Sequence, residues 1–180
     1  GTLNLLEVIR NNKLKCKLIY TSTNKVYGNL NYLKLRKNKD RYFFKNLKKG
    51  VNEEFNLDFH SPYGCSKGAA DQYVNDYSRI YNIDGYVLRQ SCVYGTNQFG
   101  IEDQGWVSWF IIASIFKKKF KVYGDGKQVR DILYIDDLNN LYYKIALNKK
   151  KLTTNRIFNV GGGNKFSLSL LGLFKILKEE

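Results

Sequence analysis

Residues 61–90, SPYGCSKGAADQYVNDYSRIYNIDGYVLRQ, decide the fold. Ser61 followed by Pro62 is a helix start: the serine hydroxyl can cap the first turn, and proline has no amide hydrogen to lose at the first helical position. Helical spacing then runs through Tyr73, Tyr77 and Ile80, which predicts a helix to about Asn82. Gly85 to Gln90 follows as a short apolar run that reads as a buried strand. A helix feeding directly into a buried strand is half of a crossover unit, so the neighbouring segments should repeat the alternation.

They do. Upstream, TLNLLEVIRNN is amphipathic, with Leu3, Leu6 and Ile9 on one face, and Lys17 to Thr21 is a second short buried strand, ending at Ser22-Thr23-Asn24. Residues 29–59 are rich in Lys and Asn and predict a long irregular excursion. Downstream, a Gly-bearing loop leads to a helix over Gly105–Lys119, strands over Phe120–Tyr123 and Val129–Ile135, a helix capped by Asp136 and reaching Asn148, a strand over Arg156–Val160, and helix from Ser167 onward. Strands alternating with long helices imply parallel pairing, and the fold class is α/β with a doubly wound sheet.

The 180 residues carry a net charge of +14, three cysteines and one histidine. The excess is mostly scattered Lys, with short runs only at Lys48-Lys49, Lys117–Lys119 and Lys149–Lys151, so solvated faces are favoured over a nucleic-acid patch. Cys16, Cys65 and Cys92 lack metal-ligand spacing and His60 stands alone, so no metal site is expected and the thiols are read as free, largely buried and in a reducing compartment. Trp106 to Phe116 is too short to span a bilayer and reads as a buried helix. The chain contains no Met and opens directly in a helix, so a preceding segment is expected; Lys178-Glu179-Glu180 stops within a helical pattern and points to a tail beyond it.

The chemistry-bearing pair is Tyr63 and Lys67. Four residues apart on one helix, they share a face, and an ammonium near a phenol favours its ionised form. Tyrosine ordinarily titrates near about 10, so a tyrosine base needs such help. The spacing recurs at Tyr123 and Lys127, but across Gly124 and Gly126, where a helix is not expected. The bland alternative is a packed helix face with a solvated amine.

Together with GTLNLLE at the start, STNKVYG at 22–28, Arg89 to Gly95, Arg130-Asp131 with Asp136-Asp137, and FNVGG at 158–162, this stretch resembles the extended short-chain dehydrogenase/reductases, the nucleotide-sugar epimerase and dehydratase family. The resemblance covers nearly the whole chain. It implies the second half of a Rossmann-like NAD domain over residues 1–95, a substrate-domain segment over 96–127, strands and a helix returning toward the sheet over 128–163, and part of a smaller α/β substrate domain from 164 to 180. It implies NAD as cofactor, a nucleotide-sugar substrate, a cytoplasmic setting and a homodimer or higher homo-oligomer formed through the opening helix and the Pro62 helix. No nucleic-acid or membrane partner is implied. Residue by residue, Thr23 would hold the reacting sugar hydroxyl, Tyr63 would be the base, and Lys67 would hold the nicotinamide ribose. Gln90 and Ser91 would line the nicotinamide, Asn24 and Gln104 would touch substrate, and Arg130 would clamp the sugar diphosphate with its planar fork of donors. The family's Gly-x-x-Gly-x-x-Gly loop is absent from this sequence, so the chain alone is expected to bind NAD poorly and not to turn over.

Family dehydratases follow the strand threonine with Asp-Glu. Here Asn24 and Lys25 stand there and neither can expel water, so epimerisation is favoured. The narrower likeness is to 2-epimerases of CDP-linked dideoxyhexoses, of the kind made for lipopolysaccharide O-antigen, carried by DFHSPYGCSKGAADQY at 58–73, DQGWV at 103–107 and GKQVRD at 126–131. Gln90 and Tyr134 depart from it where histidine is common. A 4-epimerase or another oxidoreductase on a different nucleotide sugar, and a non-catalytic basic binding module, stand as alternatives. Of the remaining features, Trp106 and Trp109 are read as core or sugar-contacting alike, His60 as a local packing residue, and Gly161-Gly162-Gly163 as a plain loop ahead of a phosphate cradle.

Overall fold

The computed structural model describes residues 1–150 and 155–179. The chain divides into two compact units: residues 1–30, 51–90 and 139–160, and residues 31–50, 91–138 and 161–180.

The first unit is a parallel sheet, β1 (Lys17–Thr23), β4 (Asp84–Gln90) and β7 (Ile157–Val160), in the order β1-β4-β7. Helices α1 (Thr2–Asn11) and α2 (Pro62–Ile80) cover it. Leu6 and Ile9 of α1, Val74 of α2, Ile83 and Val87 make the core, joined by Leu18, Tyr20, Tyr77 and Ile157. Leu6, Val74 and Val87 are fully buried, and burying each side chain stabilises by roughly 1.5–3 kcal/mol. Leu3, expected on the same face, is 38% exposed. Ser61 caps α2 as expected, its Oγ accepting from the Gly64 amide at 3.0 Å with Pro62 in the first turn. Alternation along β1 divides its two faces. Leu18, Tyr20 and Ser22 face α2, whereas Ile19 and Thr21 line an open groove of about 450 Å3 with Tyr142, Tyr143 and Ala146.

The second unit holds a parallel pair, β5 (Cys92–Tyr94) and β6 (Val129–Tyr134), with β8 (Ser167–Ser169) antiparallel to β6. Helices α3 (Trp106–Ile115) and α5 (Leu170–Glu179) pack through Phe110, Leu170 and Leu173. Trp106 and Trp109 join that cluster, which supports their core role. Helix α4 (Ile135–Leu147) begins in this unit and continues into the first from Asn139.

Several expectations are corrected. The excursion over 29–59 contains an antiparallel hairpin, β2 (Leu35–Lys37) with β3 (Tyr42–Phe44), turned by Asn38, whose side-chain oxygen accepts from the amides of Asp40 and Arg41; asparagine turns of this kind need no glycine. Phe120–Tyr123 is not a strand. Phe120 instead stacks on Phe110 and Phe174, and Gly124 and Gly126 take left-handed φ immediately afterwards. The helix expected to reach Lys119 stops at Ile115, with Lys117 at φ 50°. Ser167 opens a strand, not a helix, and Asp136 lies in the first turn of α4 instead of capping it. Pairing is parallel in the β1-β4-β7 sheet but mixed elsewhere. The cysteines are free but not buried: Cys16 and Cys65 are exposed and Cys92 half-buried. Among the described residues no helix is long and apolar enough to cross a membrane.

Candidate functional site

The end of β1 and the first two turns of α2 hold Thr23, Tyr63 and Lys67, the residues expected to carry chemistry. Thr23 is the last strand residue and caps a short 3-10 helix, Asn24–Tyr27, its Oγ1 accepting from the Lys25 amide at 3.2 Å. This bond satisfies the strand end and uses only the acceptor side of the hydroxyl; the O–H remains available to donate. The 3-10 helix ends at Gly28, where φ is 68° and a Cβ would come within 2.6 Å of the Asp58 carbonyl oxygen, so glycine is required. A Cβ on Gly64 would lie 3.5 Å from the Lys25 carbonyl oxygen, which locates the first turn of α2 against the segment that follows Thr23.

Tyr63 is 54% exposed and, among the described residues, its phenolic oxygen makes no hydrogen bond. The Lys67 ammonium donates to the Thr21 carbonyl at 2.9 Å and lies 5.4 Å from the centre of the Tyr20 ring. Asn24 is exposed at the start of the 3-10 helix. Gln90 ends β4 and its amide donates to the Tyr142 hydroxyl. Burial pushes the Tyr142 phenol up, against the opposing bond from Gln90.

Beneath these residues lies a buried polar hub that the sequence did not announce. Asp71, fully buried on α2, accepts from Ser22 Oγ at 2.7 Å, from Arg89 Nε at 2.9 Å and Nη2 at 3.0 Å, and from Gln72 Nε2 at 2.9 Å. Arg89, 2% exposed on β4, also donates to the Tyr27 hydroxyl at 2.9 Å, and Tyr27 donates to Asn159 Oδ1 at 2.7 Å. Burial works against the arginine's charge, and its bonds to Asp71 and Tyr27 more than offset it, so its pKa is raised. Three hub residues neighbour candidates: Ser22 precedes Thr23, Asp71 lies one turn past Lys67, and Arg89 precedes Gln90. A signal existed: an arginine inside the apolar run Tyr86-Val87-Leu88-Arg89 cannot be buried without a carboxylate.

In the second unit, Ser91 Oγ is buried with no hydrogen-bond partner among the described residues, an orphan of the kind that a polar ligand satisfies. Arg130 is exposed and spends one guanidinium nitrogen on its neighbour's carbonyl, Val129, at 3.0 Å. Gln104 is exposed and, among the described residues, pairs its backbone alone, with Ile101. The Gly161–Gly163 turn is occupied by the protein itself: Asp131 Oδ1 accepts from the Gly162 and Gly163 amides at 2.8 and 3.1 Å, which leaves a structural loop and no free phosphate cradle. His60 pairs locally with Asn29 at 2.7 Å, as a packing residue would.

Burial raises the Asp131 pKa above its ordinary 3.8, against the two glycine amides, which lower it. A carboxyl whose folded pKa is raised contributes stability that is full below 3.8 and is lost as pH rises through the raised value. Asp131→Asn keeps an oxygen for both amides and cannot ionise. Its urea midpoint should therefore gain on the wild type as pH rises from below 3.8 through the raised value; a difference that stays flat with pH would refute the assignment.

The chain belongs to the NAD dependent epimerase/dehydratase family, whose profile matches residues 1–161. It is 48% identical to CDP-paratose 2-epimerase of Salmonella typhi over 99% of the chain and 54% of that protein. It is 33% identical to a putative UDP-glucose 4-epimerase of Methanocaldococcus jannaschii, covering all of the chain and 52% of the relative. Among solved structures, UDP-glucuronic acid 4-epimerase from Bacillus cereus, in complex with UDP-glucuronic acid and NAD, superposes with a TM-score of 0.75 at 28% identity, over 99% of this chain and 49% of that one. The chain spans about half the length of the curated relatives it matches.

Proposed function

We propose that this chain supplies the catalytic half of an NAD-dependent epimerase acting on a CDP-linked dideoxyhexose, converting CDP-paratose to CDP-tyvelose at C2. The observation that carries the reading is the 48% identity over 99% of the chain, combined with Thr23 at the end of β1 and Tyr63 and Lys67 on the first two turns of α2. Lys67, Gln90 and Ser91 would hold the nicotinamide end of the cofactor, and the orphaned Ser91 hydroxyl fits a polar ligand. When bound, NAD supplies the hydride acceptor and returns the hydride. Tyr63 takes the proton of the C2 hydroxyl as the carbinol becomes a ketone, and gives it back once the ketone presents its other face. Thr23 donates to the reacting oxygen, whose hydrogen-bonding capacity grows as it loses its proton. Arg130, Gln104 and Asn24 would hold the nucleotide sugar, Arg130 on the diphosphate. Residues 1–95 serve the cofactor in this scheme, and 96–127 and 164–180 serve the sugar.

The absence of an Asp-Glu pair after Thr23, where Asn24 and Lys25 stand, supports epimerisation over dehydration. Exposed apolar residues on α1 (Leu3, Leu5, Val8) and α2 (Tyr73, Ile80) support a homodimer formed through these helices. The decisive experiment is a chimera in which this chain replaces the corresponding part of the Salmonella typhi relative. Incubated with NAD and CDP-paratose, it should form CDP-tyvelose without net NADH. Turnover of UDP-glucose with hydride exchange at C4, and none at C2 of the CDP sugar, would overturn the substrate assignment.

A further inference from the structure

Lys67 is gripped at both ends by one residue described so far only as part of the core packing. Tyr20, the fourth residue of β1, donates its hydroxyl to the Lys67 carbonyl at 3.2 Å, while its ring lies 5.4 Å beneath the ammonium of the same lysine. The ammonium's remaining bond, 2.9 Å to the Thr21 carbonyl, goes to the residue next to Tyr20. We propose that Tyr20 is a positioning residue for Lys67, fixing the lysine's backbone through its phenol and its charged head through its ring face.

The inference rests on the role given to Lys67 above. The physical case is separate. A long ammonium side chain on a half-exposed helix face samples many rotamers, and ordering it costs up to about 2 kcal/mol. One hydrogen bond to a carbonyl does not hold it, because water competes for the same donor. An aromatic face under the ammonium adds an attraction that water does not replace in kind. Phenylalanine would supply that face alone. Tyrosine adds a tie between β1 and α2 at Lys67 itself, on the carbonyl's second lone pair, so ring and helix cannot drift apart. The phenol keeps the proton it donates, because burial first, then the charge of Asp71, then Tyr63, push its titration up. Tyr20 also sits on the α2 face of β1, where Leu18 and Ser22 pack or bond in the same direction, so its ring has no other course.

The experiment uses the 180-residue chain with lysine labelled at Cε, read by NMR, and residue-by-residue rates of amine acylation. The Lys67 methylene should show an upfield ring-current displacement, retained in Tyr20→Phe and lost in Tyr20→Leu. Acylation of Lys67 should be roughly two- to fivefold faster in Tyr20→Leu, as expected for losing an exposed cation–π attraction, and nearer the wild-type rate in Tyr20→Phe, which rescues the ring. A folded Tyr20→Leu with unchanged Lys67 shift and rate would overturn the proposal, as would equal rates in the Phe and Leu variants. Should Tyr20→Leu fail to fold, absence of the ring-current displacement in the unaltered chain overturns it alone. None of these outcomes touches the catalytic test of Tyr63, so the two claims fail separately.

Discussion

Asp71→Ala should cost about 3–5 kcal/mol, the loss expected when one partner of a buried ion pair is removed and the other is left charged in the interior. The domain's whole stability is on the order of 5–15 kcal/mol, so the variant should unfold at much lower urea and lose a large part of its folded population at 37 °C. Asp71 has no exposed surface and receives four hydrogen bonds, from Ser22, Gln72 and twice from Arg89. Truncation strands Arg89, whose other hydrogen-bond partners among the described residues are the Tyr27 hydroxyl and, at 3.4 Å, the Glu53 carbonyl. A paired replacement separates charge from packing. Asp71→Leu combined with Arg89→Met removes both charges and keeps the volume, and should recover most of the loss, since well-packed apolar substitutes for buried ion pairs are often neutral or better. Urea titration of the single and double variants decides it: a single-variant loss below about 1 kcal/mol, the range of an exposed pair, would mean the hub is not holding the sheet to α2.

The contrast between what the sequence disclosed and what it hid follows sequence distance. Helix α2 was legible because its start, Ser61-Pro62, and its apolar spacing are local, and β1 and β4 because a run of buried apolar residues needs no partner to be recognised. Tyr63, Lys67 and Thr23 stand out as candidates because the motifs that carry them are short and local in sequence. The Asp71–Arg89 pair joins residues on different elements, Ser22 is 49 residues from Asp71, and Tyr27 is 62 from Arg89; no spacing rule reaches that far. The hairpin over Leu35–Phe44 was missed because its strands are three residues each and its outer strand is exposed, so neither periodicity nor burial marked it. At β8 the three residues Ser167–Ser169 pair with Val129–Asp131 before the helix begins, and a helical pattern that starts at Leu170 was extended backward over them. At β8 a long-range pairing decides the backbone where a local pattern points to helix.

Tyr63→Phe in the chimeric enzyme should lower kcat by about 10²–10⁴, the usual yield of a positioned acid–base group, with KM for the CDP sugar nearly unchanged. The structure separates this effect from folding. Tyr63 is more than half exposed and its phenolic oxygen bonds to nothing among the described residues, so removing that oxygen leaves packing and stability alone, within about 0.5 kcal/mol. Lys67→Met should also lower kcat but carries a structural cost, because its ammonium bonds the Thr21 carbonyl. Thr23→Val is the least clean of the three, since Thr23 also caps the 3-10 helix through the Lys25 amide. The decisive comparison is therefore the pH profile of Tyr63→Phe against that of Lys67→Met. If the phenol is the base, its loss abolishes the rise of kcat with pH, whereas the lysine variant, which keeps the phenol, retains a rise. A Tyr63→Phe enzyme that turns over within threefold of the parent would remove the phenol from the reaction, and with it the reason to read α2 as the catalytic helix.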